Sequence, residues 1–146
     1  MKKILAALDA SPRASLVLKR AAALAASSNA ELYLFRAVGL PPELPHDSFR
    51  FAPDEVVETL RATAFRQLEA LTAELDPKLV VHVVVRIGSP WSAICESAKA
   101  HDVDLIVVGS HGYDALDHVL GTTAAKVVNH ARCSVFVVRP EGPAKD

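Results

Sequence analysis

The stretch Asp104–Pro140, DLIVVGSHGYDALDHVLGTTAAKVVNHARCSVFVVRP, decides the fold because it predicts a strand, a glycine-containing loop, a helix and a second strand. Leu105 to Val108 is an uninterrupted apolar run with β-branched residues, which is typical of a strand buried on both faces of a parallel sheet. The composition and spacing of Thr122 to Ala131 favour a short packed helix. Val135 to Val138 then predicts the second strand, and this order indicates an α/β fold.

The loop inside this stretch joins the carboxyl end of a strand to the amino end of a helix. Backbone N–H groups at a helix amino end lack partners and lie at the positive end of the helix dipole, so anions bind there. Gly109, Gly112 and Gly121 lack the Cβ that would hold a phosphate away, and glycine permits positive φ where amides converge. The Thr122 hydroxyl is a further donor. Glycine-rich turns also serve only to turn a chain, so a purely structural role stays open.

Length and composition bound the class of protein. A chain of 146 residues predicts one domain, 1–146, large enough to bury a core without disulfides. Hydrophobic residues make up 51% and charged residues 23%, which indicates a globular chain rather than a disordered one. A net charge of −1 gives no attraction to nucleic acid, so we expect no such partner. No segment reaches the roughly 20 apolar residues that cross a bilayer, so we expect no membrane partner either.

The amino terminus and the cysteines predict a cytoplasmic protein. Met1-Lys2-Lys3 imitates the basic start of a signal peptide, but Asp9 interrupts the apolar run that follows. Cys95 and Cys133 lie far apart, outside metal-ligand or redox spacing, and are interpreted as core thiols in a reducing compartment. The six histidines show no HExxH or paired-ligand pattern, so we expect no metal held by side chains alone.

The first half of the chain predicts two strands and two helices. Lys3 to Leu8 is the first strand, and Ser11-Pro12 predicts a capped helix start with the helix ending near Ser27, before Asn29. Its predicted inner stripe is Leu16, Val17, Ala21 and Leu24, and its predicted solvent-side residues are Arg13, Lys19 and Arg20. Glu31 to Val38 is the second strand. Proline-rich 39–53 is predicted to be a surface loop, before an amphipathic helix from Asp54 to Leu75 that packs on the sheet.

Two details of the central region have alternative interpretations. Arg36, in the second strand, either extends its charged end to solvent or contacts a phosphate. Val80 to Ile87 predicts a third strand, and Gly88-Ser89-Pro90 opens a helix that runs to about His101. Trp91, at the start of that helix, is interpreted as a packing residue rather than a platform for a ligand.

The complete order predicts an open doubly wound sheet of five parallel strands with helices on both faces. In such sheets, ligands bind beyond the carboxyl ends of the strands, at the switch in strand order. The loops at that edge follow Leu8, Val38, Ile87 and Val108. The fold therefore places Asp9 and Ala37 across one crevice from Gly109.

The segments GSHG, LGTTAAKVV and CSVFVVRP resemble the carboxyl-terminal signature of the universal stress protein family. Nucleotide-binding members carry a glycine, two residues, a second glycine, a spacer, and then glycine with Ser or Thr. Here the pattern falls on Gly109, Gly112, Gly121 and Thr122. The spacer, Tyr113 to Leu120, has eight residues and is one shorter than usual.

The resemblance implies a site for ATP, with or without Mg²⁺. Asp9 and Ala37 fall where family members contact the nucleoside, and the glycines with Thr122 would hold the phosphates. A carboxylate at position 9 suits a ribose hydroxyl or an adenine amino group, although Asp9 is also a candidate cap for the helix that follows. The resemblance also implies a homodimer through the last strand, Ser134 to Arg139, since an apolar edge strand pairs readily with a copy of itself. The tail, 141–146, is expected to be frayed.

Three functions remain open at this point. The first is an ATP-binding regulatory module of the stress response, and the second is a slow ATP hydrolase. The chain lacks the GxxxxGK[ST] loop, whose lysine neutralises phosphate charge, and it lacks GxSxG, so efficient enzymatic turnover is not expected. The third is a dimeric interaction protein that binds no nucleotide.

Overall fold

The computed structural model describes residues 1–39, 54–110 and 119–140. The described part contains one sheet of five strands, all parallel, in the order β3-β2-β1-β4-β5. This arrangement confirms the predicted five-stranded parallel α/β fold. The elements in chain order are β1 (Lys3–Ala7), α1 (Ala14–Ser28), β2 (Glu31–Val38), α2 (Asp54–Thr72), β3 (Val81–Ile87), α3 (Pro90–Ala100), β4 (Leu105–Gly109), α4 (Thr122–His130) and β5 (Ser134–Val138).

The switch in strand order lies between β1 and β4. The chain builds β1, β2 and β3 outward in one direction, and then returns to the other side of β1 for β4 and β5. Ile4 pairs in register with Leu105, and Ala6 pairs with Val107. The connections leaving the carboxyl ends of these two strands lead to helices on opposite faces, which opens a crevice between them.

The helices cover both faces of the sheet, as the sequence predicts. On one face, α1 and α2 pack against alternate strand residues such as Ile4 and Leu34, while on the other α3 and α4 pack against Leu5 and Phe35. Successive strand residues point to opposite faces, so both must be apolar when helices cover both sides. None of the helices in the described residues combines the length and apolar content that a bilayer-spanning helix needs.

The start of α1 differs from the prediction. The helix begins at Ala14 and not at Ser11-Pro12, because Ser11 donates its N–H to Asp9 Oδ1 (2.9 Å) and its carbonyl accepts the Ala14 N–H (3.1 Å) in a preceding turn. Asp9 therefore caps this turn rather than the helix itself. The buried residues of α1 are Val17, Leu18, Ala21 and Ala25, whereas the predicted Leu16 and Leu24 are only partly buried.

Other helix boundaries agree more closely with the prediction. Asn29 terminates α1 in the left-handed conformation (φ 54°, ψ 42°), as its short polar side chain permits. α2 ends at Thr72, before the predicted Leu75, although Leu75 still packs against the core. α3 begins at Pro90 as predicted. The predictions of a surface loop over 39–53 and of a frayed tail over 141–146 concern positions that, apart from Gly39, lie outside the described residues.

Candidate functional site

The switch in strand order opens into a crevice of about 150 Å³ between the ends of β1 and β4. We call it the switch crevice. It brings together four of the six predicted site residues, Asp9, Gly109, Gly121 and Thr122. Residues that the sequence did not single out as site residues also line it, among them Ser11, Arg13, Ser110 and Thr123. Gly112, the fifth predicted residue, lies outside the described part of the chain.

The amino end of α4 forms one wall of the switch crevice. Gly121 is the N-cap residue (φ −61°, ψ 162°), and its carbonyl accepts the Ala125 N–H at 2.9 Å. The N–H groups of Thr122, Thr123 and Ala124 therefore belong to the first turn, where an α-helix supplies no acceptor. Their dipoles make this wall suitable for an anion.

The structure adds two details about the glycines. Gly121 N–H donates to the Ser110 carbonyl at 2.7 Å, so this amide is already used within the protein. Neither Gly109 nor Gly121 has positive φ, because both continue extended backbone at an element boundary. Their contribution is the missing Cβ beside the crevice, and the donors are supplied by the residues that follow Gly121.

Ser110 connects the switch crevice to β5, the strand at one side of the sheet. Its side chain is buried, and its N–H donates to the Val138 carbonyl at the end of β5 (2.9 Å). Its own carbonyl receives the Gly121 N–H. One residue therefore links the end of β4 to both α4 and β5.

Arg36 is partly buried, and its guanidinium is bonded to protein groups. Its Nε donates to the Leu8 carbonyl (3.0 Å), Nη2 donates to the Asp9 carbonyl (3.3 Å), and Nη1 donates to Gln67 Oε1 (2.6 Å). The sequence did not predict these bonds, and a contact between Arg36 and a phosphate stays a prediction. The side chain fixes the backbone that carries Asp9 and joins it to α2.

Ala37 lies at the same edge of the sheet but does not line the switch crevice. The backbone N–H and C=O groups of odd-numbered β2 residues point toward β1, as the bonds from Glu31 N–H to Lys2 O and from Leu8 N–H to Phe35 O show. The N–H and C=O of Ala37 therefore point past the end of β1. The next bond of this ladder, from Ala37 N–H to Leu8 O, is absent among the described residues, where Arg36 Nε donates to Leu8 O instead. This leaves a backbone donor and acceptor facing the carboxyl edge.

Two donors on the α1 side of the switch crevice have no acceptor among the described residues. Ser11 is 6% exposed, and its Oγ makes no hydrogen bond to the part of the chain that the structure describes. Arg13, predicted on the solvent side, has a buried Nη1 that is likewise unbonded. Neither Ser11 nor Arg13 was predicted to lie at the site, although both follow β1, a strand that ends at the switch.

The second cavity of interest lies between α3 and α4 and has a volume of about 350 Å³. It contains both cysteines, which are partly buried and pack against the core, in agreement with their interpretation as core thiols. Burial raises the pKa of the Cys95 thiol, and the nearby Cys133 raises it further. Burial also raises the pKa of Cys133. Both groups are therefore held as neutral thiols at neutral pH.

Trp91 packs between the same two helices. Its ring centroid lies 4.6 Å from that of His130, and Lys126 Nζ lies 5.5 Å from the indole ring. These contacts confirm its interpretation as a packing residue. Among residues 1–39, 54–110 and 119–140, no group of three or more His, Cys, Asp or Glu side chains is arranged to hold a metal ion.

The sequence matches the universal stress protein family over residues 1–139. It is 34% identical over 139 residues to universal stress protein A homolog 1 of Coxiella burnetii, covering 94% of this chain and 95% of that protein. Two further matches are shorter. The alignment with homolog 2 of the same organism, 34% identical over 88 residues, spans 60% of that relative, and the alignment with a universal stress protein of Methanothermobacter thermautotrophicus, 38% identical over 72 residues, spans 49%.

Solved structures share the fold across nearly the whole chain. The hypothetical protein MJ0577, a test case for assigning biochemical function from structure, has a TM-score of 0.80 at 27% identity and covers 97% of this chain and 98% of its own. A family protein from Arabidopsis thaliana with AMP bound has a TM-score of 0.63 at 20% identity, with 97% and 93% covered. A universal stress protein in complex with cAMP has a TM-score of 0.65 at 22% identity, with 94% and 96% covered. Together with the sequence match over residues 1–139, the strand order and the glycine-bearing crevice show that the chain belongs to the universal stress protein family.

Proposed function

We propose that this chain binds ATP at the switch crevice and acts as a nucleotide-dependent regulatory module of the stress response in the cytoplasm. The observation that carries the proposal is the concentration, among the described residues, of hydrogen-bond donors at one edge of the sheet. First-turn amides of α4, the Thr122 hydroxyl and the Ala37 backbone all lie there, and Gly109 and Gly121 keep Cβ atoms out of the approach.

The size of the crevice indicates which part of the nucleotide it holds. A volume of about 150 Å³ is below the range of pockets that enclose a whole drug-sized ligand, so it suits part of a phosphate chain. Ala37 lies on β2, two strand positions from β4, a lateral distance of about 10 Å. The phosphates would then occupy the crevice while the nucleoside extends toward Ala37, with Asp9 between them to accept a ribose or adenine donor.

Two structural neighbours contain AMP and cAMP, which supports an adenine nucleotide as the ligand. A Mg²⁺ ion would enter with the phosphates, because the described residues offer no three-ligand set of their own. Asp9 supplies the one carboxylate among the described residues that line the crevice. The triphosphate oxygens would provide most of the remaining ligands to the metal.

The regulatory output would be a homodimer formed through 134–139. β5 is an edge strand of the sheet, and Phe136 on it is 40% exposed. An apolar edge strand can pair with the same strand of a second copy. The Ser110–Val138 hydrogen bond gives a direct connection from the nucleotide crevice to this strand.

The test begins with the full chain purified in its native state. We expect the denatured protein to release ATP that mass spectrometry identifies, and added ATP with Mg²⁺ to raise the melting temperature. The variant Gly109→Val/Gly121→Val should remain folded by circular dichroism and lose at least about 100-fold in ATP affinity, since two side chains would enter the phosphate position. A folded variant that binds ATP like wild type would contradict the proposed site.

The exposed edge strand also favours a second candidate, a dimeric interaction protein that binds no nucleotide. Wild type that dimerises but shows neither copurified nucleotide nor a thermal shift with ATP and Mg²⁺ would establish this alternative. A phosphate-release assay on the same sample tests for slow hydrolysis. We expect turnover far below the median enzyme value of about 10 s⁻¹, because the described crevice contains no lysine.

A further inference from the structure

The α1 side of the switch crevice contains two hydrogen-bond donors without an acceptor among the described residues. Ser11 is 6% exposed and its hydroxyl has no partner in residues 1–39, 54–110 and 119–140, although its N–H is bonded to Asp9. Arg13 Nη1 is buried and likewise makes no bond within the described part of the chain. Burying a polar group without a partner is unfavourable, so two such donors beside one cavity indicate that a ligand with acceptor atoms completes them.

The position of Arg13 indicates which part of the ligand it meets. Besides lining the switch crevice, Arg13 borders a small cavity with Val138 and Pro140, at the end of β5. Ala37 lies on β2, on the opposite side of β1. If the nucleoside of a bound nucleotide lies near Ala37, the part of the phosphate chain beside Arg13 is therefore the end farthest from the nucleoside.

We propose that Arg13 and Ser11 bind the phosphates farthest from the nucleoside and make the site selective for nucleoside triphosphates over monophosphates. This inference rests on the proposed function and adds the residues that determine phosphate number. The guanidinium supplies planar N–H donors to phosphate oxygens, and the hydroxyl supplies one more.

Charge supports the same assignment. Asp9 and Arg13 are the two ionisable side chains among the described residues that line the crevice. The Asp9 carboxylate repels phosphate, and the Arg13 guanidinium offsets this repulsion at the far end. Without Arg13, the described residues that line the crevice would carry a net negative charge, which would repel each phosphate added beyond the first. Discrimination between ATP and AMP should therefore depend on this one cation.

The test is isothermal titration of ATP, ADP and AMP into the full chain, for wild type and three variants. Arg13→Gln should lose about 10-fold or more in ATP affinity, the range of a charge-assisted hydrogen bond, and less than about 2-fold in AMP affinity. Arg13→Lys should retain part of the ATP affinity because it keeps the charge but loses the planar donor geometry. Arg66→Gln removes one positive charge from the exposed surface of α2 and should match wild type.

The outcomes separate this inference from the proposed function. Wild type that binds none of the three nucleotides overturns both. If wild type binds ATP but Arg13→Gln weakens the binding of ATP and AMP equally, or weakens neither, only the proposed role of Arg13 is overturned. Thermal unfolding without ligand verifies that each variant is folded. Should Arg13→Gln fail to fold, competition in wild type decides. Inorganic tripolyphosphate should displace ATP at a concentration at least about 10-fold lower than orthophosphate, and equal potency would overturn the inference.

Discussion

The amino ends and the carboxyl ends of the five parallel strands, here called the amino edge and the carboxyl edge of the sheet, differ in how their polar groups are hydrogen-bonded. At the amino edge, Asp104 Oδ2 accepts the backbone N–H groups of Lys2 (2.7 Å) and Lys3 (2.8 Å), and Lys3 Nζ donates to the His101 carbonyl (3.1 Å). The buried His101 Nε2, which has no partner among the described residues, is the exception at this edge. At the carboxyl edge, Ser11 Oγ and Arg13 Nη1 lie beside one crevice, and neither is bonded to a residue that the structure describes.

We expect the edge with the two unbonded donors to be the one at which a ligand binds. Several polar groups at the carboxyl edge are bonded within the protein, as Arg36 is, but Ser11 Oγ and Arg13 Nη1 lack acceptors among the described residues. A buried donor without an acceptor lowers the stability of the free protein, and an anion bound at this edge would supply the missing acceptors. Three substitutions test this contrast.

The largest effect is expected from Arg36→Met, which removes the bonds that join Leu8, Asp9 and Gln67 at the carboxyl edge. We expect the free energy of unfolding to fall by about 1–3 kcal/mol in urea denaturation, the range for hydrogen bonds from a charged donor. Arg66→Met, an exposed residue of α2, is the control and should change it by less than about 0.5 kcal/mol. Equal effects of the two variants would show that Arg36 does not hold this edge together.

An intermediate, pH-dependent effect is expected from Asp104→Asn at the amino edge. The N–H groups of Lys2 and Lys3 lower the pKa of Asp104 below its ordinary value, so the folded state favours the charged form. The resulting stability is present above the unfolded pKa of about 3.9 and is lost as pH falls through the lower folded pKa.

Melting temperatures measured from pH 7 to pH 3 should therefore show a gap between wild type and Asp104→Asn that narrows with acid. Glu69→Gln, which removes an exposed carboxylate of α2, serves as the control for the general effect of charge. A gap of constant size across this range would mean that the two backbone bonds do not favour the ionised form of Asp104.

The smallest change in stability is expected from Ser11→Ala, because the hydroxyl has no partner to lose. We expect a free energy of unfolding within about 1 kcal/mol of wild type in the absence of ligand, and equal or higher rather than lower. Ser97→Ala is a matched control, since Ser97 is 2% exposed and its Oγ is also unbonded, but it lies in α3, away from the crevice.

The two serine variants should differ in nucleotide binding. Ser11→Ala should bind ATP several-fold more weakly in titration calorimetry, while Ser97→Ala should bind it as wild type does. A clear loss of stability in Ser11→Ala would show that its hydroxyl has a protein partner in solution. Equal ATP affinity in both variants would remove Ser11 from the site.

Much of the fold could be predicted from local sequence. Short runs such as Leu105 to Val108 are apolar at every position and rich in β-branched residues, which is typical of a strand covered on both faces, and the alternation with helices indicates a parallel sheet. The left-handed end of α1 at Asn29 follows from its side-chain chemistry. The placement of Asp9, Gly109, Gly121 and Thr122 at one crevice then follows from the topology.

The roles of individual side chains were less predictable. Helical periodicity assigned Arg13 to solvent, but its environment depends on the ends of β4 and β5, which are distant in sequence. Arg36 contacts Gln67 across a connection whose path the sequence does not specify. Cys95 and Cys133 share one cavity although their sequence separation gave no such indication.

The amino-acid sequence by itself determined the parallel sheet, the two helical layers and the edge at which a ligand would lie, because burial on both faces and the strand–helix order are local, periodic properties. Only the tertiary structure decided which donors remain available there. Whether Gly121, Arg36, Ser11 or Arg13 finds an acceptor depends on atoms from separate elements that meet within hydrogen-bonding distance. That pairing leaves the first turn of α4 and the start of α1 facing the same crevice with unused donors.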